Sequence, residues 1–167
     1  ERWKAFHQPV RIGDLLVRPP WAPPRAGLLD VVIDPAQAFG TGAHPTTRLC
    51  LELLLELEPA GALVDVGCGS GVLAIAAAKL GFGPVAAGDN DPVALEVTRE
   101  NAERNGVTVD TVTLIDARTD ALAADVVVAN IALDVVESLV PRVRCRRLVL
   151  CGYLAGERPA APGFAQL

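Results

Sequence analysis

Methionine does not occur in this chain, lysine occurs twice against thirteen arginines, and tyrosine occurs once. The missing initiator methionine, with no signal-peptide pattern, implies a chain that begins inside a longer gene product. The arginine excess reads as codon bias. Aromatic residues make up 4% of the composition, so the core must be built from Ala, Val and Leu. No apolar run approaches the roughly 18–20 residues that span a bilayer. The stretch from Ala121 to Ala129 is broken by Asp125. A membrane partner is therefore not expected. Net charge is −5, and no basic stripe offers the face that nucleic acid needs. Arg142, Arg144, Arg146 and Arg147 are the densest cationic cluster, and they read as a solvated turn before a strand. Cys50, Cys68, Cys145 and Cys151 form no CxxC pair, which argues against a metal site. Cys50 on a helix face and Cys151 in a strand are places for small buried thiols, and a reduced, cytoplasmic compartment follows.

What is present is globular: 51% hydrophobic residues in 167, one domain long enough to bury a core. Residues 1–27 carry Trp3, Phe6, Trp21 and the run "RPPWAPPRAG". They read as a linker or lead-in of turn and polyproline character that packs on a domain over 28–167. Within that domain "LLDVVID" (28–34) predicts a strand. Pro45-Thr46-Thr47 opens a helix with apolar residues at helical spacing, and Pro59 stops it. "ALVDVG" (62–67), "PVAAGD" (84–89), "TVDTVTLID" (108–116), "ADVVVANI" (124–131) and "RLVLCGYL" (147–154) predict five further strands. Helices "GVLAIAAAKLG", "VALEVTRENAERNG" and "LDVVESLV" lie between them, the second behind an Asp91-Pro92 cap. Strands and helices alternate, and the strands are apolar runs. The expected fold is therefore α/β: a doubly wound, mostly parallel, Rossmann-like sheet.

Two glycine-rich loops feed one expected pocket. The second, "VDVGCGSG" (64–71), joins a strand to a helix at the point where a doubly wound sheet binds its ligand. Gly67, Gly69 and Gly71 would let a ligand approach the backbone, and the helix-start amides would donate to it. Two cofactors compete for this loop. Gly69-x-Gly71-x-x-Ala74 satisfies the dinucleotide fingerprint. Asp65-x-Gly67-x-Gly69-x-Gly71 is the DxGxGxG signature of S-adenosylmethionine (SAM) enzymes. A dinucleotide brings an anionic pyrophosphate, whereas SAM brings an ammonium and a sulfonium, so an acid at 65 favours SAM. Asp89 lies 20 residues beyond Gly69, where it can accept from both ribose hydroxyls of either cofactor. Asn90 is placed to touch the adenine edge. Asp116 could reach the adenine amine or be a plain strand-end acid. Asn130 closes the apolar run 126–129 and faces the reacting end of the cofactor, or else is a turn residue opening the next helix. A nicotinamide enzyme is disfavoured by Asp65 and by the lack of a catalytic His/Lys/Tyr set.

The segments "DPAQAFGTGAHPTTRLCLELL", "VDVGCGSGVLAIAAAKLG", "GDNDPVALEVTRENAERNGV" and "DVVVANIA" occur in this order. Together they resemble the bacterial ribosomal protein L-eleven methyltransferase family over roughly residues 1 to 155. The AFGTGxHPTT segment is the narrow marker. The resemblance implies a SAM-dependent Rossmann-like methyltransferase acting on amino groups, the N-terminal amine and lysine side chains, of a large-subunit ribosomal protein. Nucleic acid would not be a direct partner. It also implies that Thr47, Gly67, Asp89 and Asn130 contact SAM, and that the loop from Phe39 to His44 wraps its methyl end. His44 itself reads better as a helix-start residue bonded locally than as a base. The chain departs from the family pattern at Ala36-Gln37, where Gly-Met is usual, and at Ala132, where Leu is usual. The resemblance further implies a small N-terminal recognition domain, and a closing helix and two strands after "CGYLAGE", that this stretch does not include. Asn130 is expected to accept the amine's hydrogens and aim its lone pair, which makes it the catalytic candidate. The alternatives are a methyltransferase of another protein or a small molecule, or a silent SAM-binding remnant.

Overall fold

The computed structural model describes residues 7–35, 44–154 and 156–165. It opens with a small sheet. Strands β1 (Val10–Ile12) and β2 (Leu15–Arg18) form an antiparallel hairpin, and β3 (Leu29–Val32) lies parallel to β2. The hairpin turns at Gly13, whose φ of 54° suits glycine. Arg18 grips both oxygens of Asp30 at 2.7 and 2.6 Å and also donates to the carbonyl of Ala22, which ties the Pro-rich turn to the sheet. Residues 10–12 and 15–18 are thus paired strand, where the sequence suggested only a lead-in. Short strands of three and four residues leave too little alternation to stand out beside prolines and arginines.

Helix α1 (Pro45–Glu56) follows, with His44 as its N-cap: the His44 ring accepts from the amide of Thr46. The main sheet starts at β4 (Leu63–Val66) and continues through α2 (Val72–Leu80), β5 (Val85–Asp89), α3 (Pro92–Arg104) and β6 (Thr111–Leu114). After a two-residue strand β7 (Leu122–Ala123) come β8 (Val126–Asn130), α4 (Leu133–Leu139) and a 3-10 turn at Val140–Arg142. Strands β9 (Val143–Arg144) and β10 (Arg147–Cys151) close the series. The five-stranded sheet has the order β10-β8-β4-β5-β6, and every pairing in it is parallel. This is the expected doubly wound sheet. β7 and β9 pair separately and bring Arg144 to a strand rather than a turn.

Successive side chains of a strand point to opposite faces. Leu63, Val85, Val126 and Val128 join α1, α2 and the small sheet in one core, which also takes Ile12, Leu15 and Val31. Val64, Val66, Val127 and Ala129 join Leu139 and Val143 in the other. Because β4 is buried on both faces, it reads as an apolar run with a single exception, Asp65. From β4 the chain builds outward to β6, then returns to β8 on β4's other side. The strand order therefore reverses between β4 and β8, and a crevice opens beyond their carboxyl ends.

Candidate functional site

The crevice has a volume of about 380 Å3. The turn after β4 supplies Gly67, Cys68 and Gly69, the end of β5 supplies Asp89 and Asn90, and the end of β8 supplies Asn130. Thr47 enters from α1. Six of the residues expected to contact the cofactor, and Asp116 as well, thus meet in one place. Gly71 does not line it. Gly71 is the left-handed N-cap of α2, φ 78°, and a Cβ there would press on Thr98 of α3. Its glycine serves helix packing, not access to the crevice. The Phe39–His44 segment expected to wrap the site lies outside the described residues except at His44.

The glycine turn is held from several sides. The amides of Gly67 and Cys68 donate to the carbonyl of Gly88 at 2.8 and 3.0 Å. Asp89 accepts from the amide of Gly69 at 3.0 Å through one oxygen and from the amide of Asp91 at 3.0 Å through the other. From α3, Thr98 donates to the Gly69 carbonyl and Asn101 to that of Ser70. Gly67 has φ 76°, and a Cβ on it would collide with Ile131 across the crevice. A side chain there would fill the cradle.

At the other end, Asn130 donates its amide hydrogen to Thr47 Oγ1 at 3.1 Å, and its Oδ1 is buried without a hydrogen-bond partner. Anchoring the nitrogen fixes which way the amide points and leaves Oδ1 as a buried acceptor without a partner. Arg118, which also lines the crevice, is paired with Asp134 of α4, and that contact holds the Asp134 carboxyl below its ordinary value. Cys68 Sγ lies 3.3 Å from Thr98 Oγ1, and burial pushes its thiol up to about 12. A hydrogen bond to Cys151, together with burial, keeps the Cys50 thiol protonated. The cysteines are free, and no cluster of metal-ligating side chains exists among the described residues. No helix among them is long and apolar enough to cross a membrane.

Asp65 does not face the crevice. It is wholly buried, and one oxygen accepts from the amide of Ala74 in α2 at 3.1 Å. The reason the sequence offered for favouring SAM, an acid beside its ammonium, is therefore corrected: the carboxylate grips a helix. The walls that sequence reasoning missed are Leu73, Ile115, Ala117, Ile131 and Val135. They are the same residue types as the core, and no spacing signal separates them from it.

A family model described as "Ribosomal protein L11 methyltransferase (PrmA)" matches residues 1–154. The chain belongs to this family. A Symbiobacterium thermophilum protein named ribosomal protein L11 methyltransferase is 46% identical over 170 residues, covering 95% of this chain and 55% of that protein. The crystal structure of a ribosomal protein L11 methylase from Lactobacillus delbrueckii subsp. bulgaricus aligns with a TM-score of 0.72 and 29% identity. That alignment covers 83% of this chain and 76% of the other. A Pyrococcus abyssi tRNA (uracil-54, C5)-methyltransferase, solved with S-adenosyl-L-homocysteine, shares the fold at a TM-score of 0.52 and 23% identity, over 81% of this chain and 31% of that one. The chain spans a little over half the length of the first two curated relatives it matches. The fold is the Rossmann-like one that the aligned ribosomal protein L11 methylase shares.

Proposed function

We propose that this chain binds SAM in the crevice and transfers its methyl group to amines of a large-subunit ribosomal protein, L11. The observation that carries the proposal is the Asn130 amide. Its nitrogen is anchored to Thr47, and its oxygen is left as a buried, unpartnered acceptor at the far end of the crevice from Asp89. Bound SAM would supply an electrophilic methyl on a sulfonium. The residues of this chain do the rest by alignment. The cradle at Gly67 and Gly69 admits a ligand against the backbone. Each Asp89 oxygen uses one acceptor site on a backbone amide and keeps another for a ribose hydroxyl. Asn90, exposed on the rim, offers the adenine edge an amide.

The acceptor amine must be neutral to attack, yet an unperturbed lysine titrates near 10.4. A desolvated crevice next to a cationic sulfonium disfavours the ammonium form. Asn130 Oδ1 then accepts a hydrogen of the neutral amine and turns its lone pair toward the methyl carbon. Orientation of this kind is worth up to about 7–11 kcal/mol of barrier. The names of the relatives support the substrate.

Asn130→Ala tests the assignment. Turnover on ribosomal protein L11 should fall about 100-fold, the scale of removing one oriented polar group, while the calorimetric Kd for SAM shifts only about threefold or less. Equal losses in both would assign Asn130 to the cofactor alone. Binding of NAD in place of SAM would overturn the cofactor.

A further inference from the structure

Three polar side chains of α3 and its C-cap lie on one inward stripe: Thr98, Asn101 and Asn105, spaced by three and four residues. Thr98 and Asn101 are sealed from solvent, and Asn105 is half-buried. Thr and Asn are poor helix formers, and packing alone would favour apolar residues at 98 and 101. Their bonds run to two different parts of the molecule. On the crevice side, Thr98 donates to the Gly69 carbonyl at 3.1 Å and Asn101 Nδ2 to the Ser70 carbonyl at 2.9 Å. Two successive peptide planes of the glycine turn are thereby held. On the other side stands β3, the edge strand of the small sheet. The amides of Leu29 and Ile33 donate toward β2, to the carbonyls of Asp14 and Arg18, so those of Val32 and Asp34 face outward. Asn101 Oδ1 accepts from the Asp34 amide at 3.2 Å, and Asn105 takes both the amide and the carbonyl of Val32, at 2.8 and 2.6 Å. Arg104 donates to Asn101 Oδ1 at 2.7 Å and lies 3.6 Å from the Asp34 carboxylate, which fixes which end of the Asn101 amide meets which partner.

We propose that Asn101 is a positioning residue for the crevice: its one side-chain amide ties the edge of the small sheet to the glycine turn, so that affinity for the ligand depends on how that sheet is docked. The identity of the ligand rests on the SAM reading, but the tie does not. Neither Asn101 nor Asn105 lines the crevice, so both act through the turn. The amide is planar and rigid. A shift of β3 that drags Oδ1 must therefore turn Nδ2 away from the Ser70 carbonyl. Asn105 holds β3 against the end of α3 and so keeps Asp34 within reach of Asn101. Coupling of this kind is reciprocal: a ligand that fixes the turn also holds the Asp34 amide on Asn101.

Calorimetry with SAM and amide hydrogen exchange test it, both at a temperature where circular dichroism shows each variant folded. Asn105→Ala cuts the tie on the β3 side alone. It should raise the SAM Kd about threefold and speed exchange of the Gly69 and Gly71 amides, although it touches nothing in the crevice. Asn101→Ala cuts both sides and should raise the Kd about tenfold. Bound SAM should slow exchange of the Asp34 amide in wild type and not in Asn101→Ala. Kd values equal to that of wild type in both variants, whatever the fall in denaturant midpoint, would make the asparagines packing residues and overturn the proposal. Protection of Asp34 that survives in Asn101→Ala would route the coupling elsewhere and overturn the role of Asn101. If Asn101→Ala does not fold, Asn105→Ala decides by its Kd and its exchange at the turn. If wild-type protein takes up no SAM, the cofactor reading falls, and exchange at Gly69 and Gly71 in ligand-free Asn105→Ala alone decides the tie.

Discussion

The two ends of the central sheet use the same devices to different effect. At the end away from the crevice, Asp125 precedes β8 and accepts from the amide of Ala62 at 2.9 Å, with Gly61 packed against it. At the crevice end, Asp89 grips Gly69 and Gly67 makes room for Ile131. Both ends thus have a carboxylate on a backbone amide and a glycine with positive φ. The difference lies in what is left over. The smaller cavity at the first end, about 200 Å3, is lined by Glu56, Glu58, Asp125, Arg146 and Arg147, charges of both signs open to solvent. The only buried side-chain oxygens without partners among the described residues belong to Asp65 and Asn130, both of which project from the face covered by α1 and α2. Buried polar atoms are normally satisfied. Asn130 lines the cavity and Asp65 does not, so it is the Asn130 oxygen that marks the end of the sheet built to receive something.

The largest effect should come from filling the cradle. Gly67→Val would place a branched side chain at φ 76° and against Ile131, and SAM binding should be lost in calorimetry while far-ultraviolet circular dichroism keeps its shape. Binding that survived would mean that the ligand does not use this turn, and the contrast between the two ends would fail. The next effect concerns stability and pH. The Asp65 carboxyl is raised from its unfolded value near 3.8 to about 7 when folded. The stability it contributes is complete below the lower value and is lost as pH rises through the higher one. Denaturant midpoints of wild type should therefore fall between pH 4 and 8 relative to Asp65→Asn, which should be the more stable at pH 8 by a few kcal/mol. A parallel pair of curves would show that the buried charge costs nothing.

Asp125→Ala removes the acceptor of Ala62 and should cost about 1 kcal/mol in urea unfolding, with no change in SAM affinity. A loss of affinity there would tie the two ends together. The smallest effect is expected from Arg118→Ala. Its pair with Asp134 is exposed, so the melting temperature should stay where it was. A clear drop would mean that this rim contact holds α4 in place.

Much of this site was legible in order of residues. A strand, three alternating glycines, a helix and an acid 20 residues on are a local pattern, because a turn that admits a ligand needs glycine where the backbone goes left-handed. Asn130 stood out as a polar residue closing an apolar run, whereas Thr47 entered only through the family resemblance. The roles within that list were less legible. Gly71 and Gly67 look alike in sequence, yet one faces α3 and the other the crevice. Asp65 and Asp89 are both acids beside the glycine turn, yet one is sealed and the other lines the cavity. The hairpin at residues 10–18 escaped notice because strands so short owe their pairing to the core beneath them, not to their own pattern.

The class of fold and the place of the crevice were already written in the order of residues. Both follow from the alternation of apolar strands with helices and from glycine's freedom at a tight turn, which are properties of neighbours along the chain. Only the tertiary structure decided which acid caps a helix and which lines the cavity, and which amide oxygen is left without a partner. Those outcomes depend on the direction of a side chain out of the sheet and on what the opposing helix brings within hydrogen-bond reach, distances that spacing along the chain does not carry.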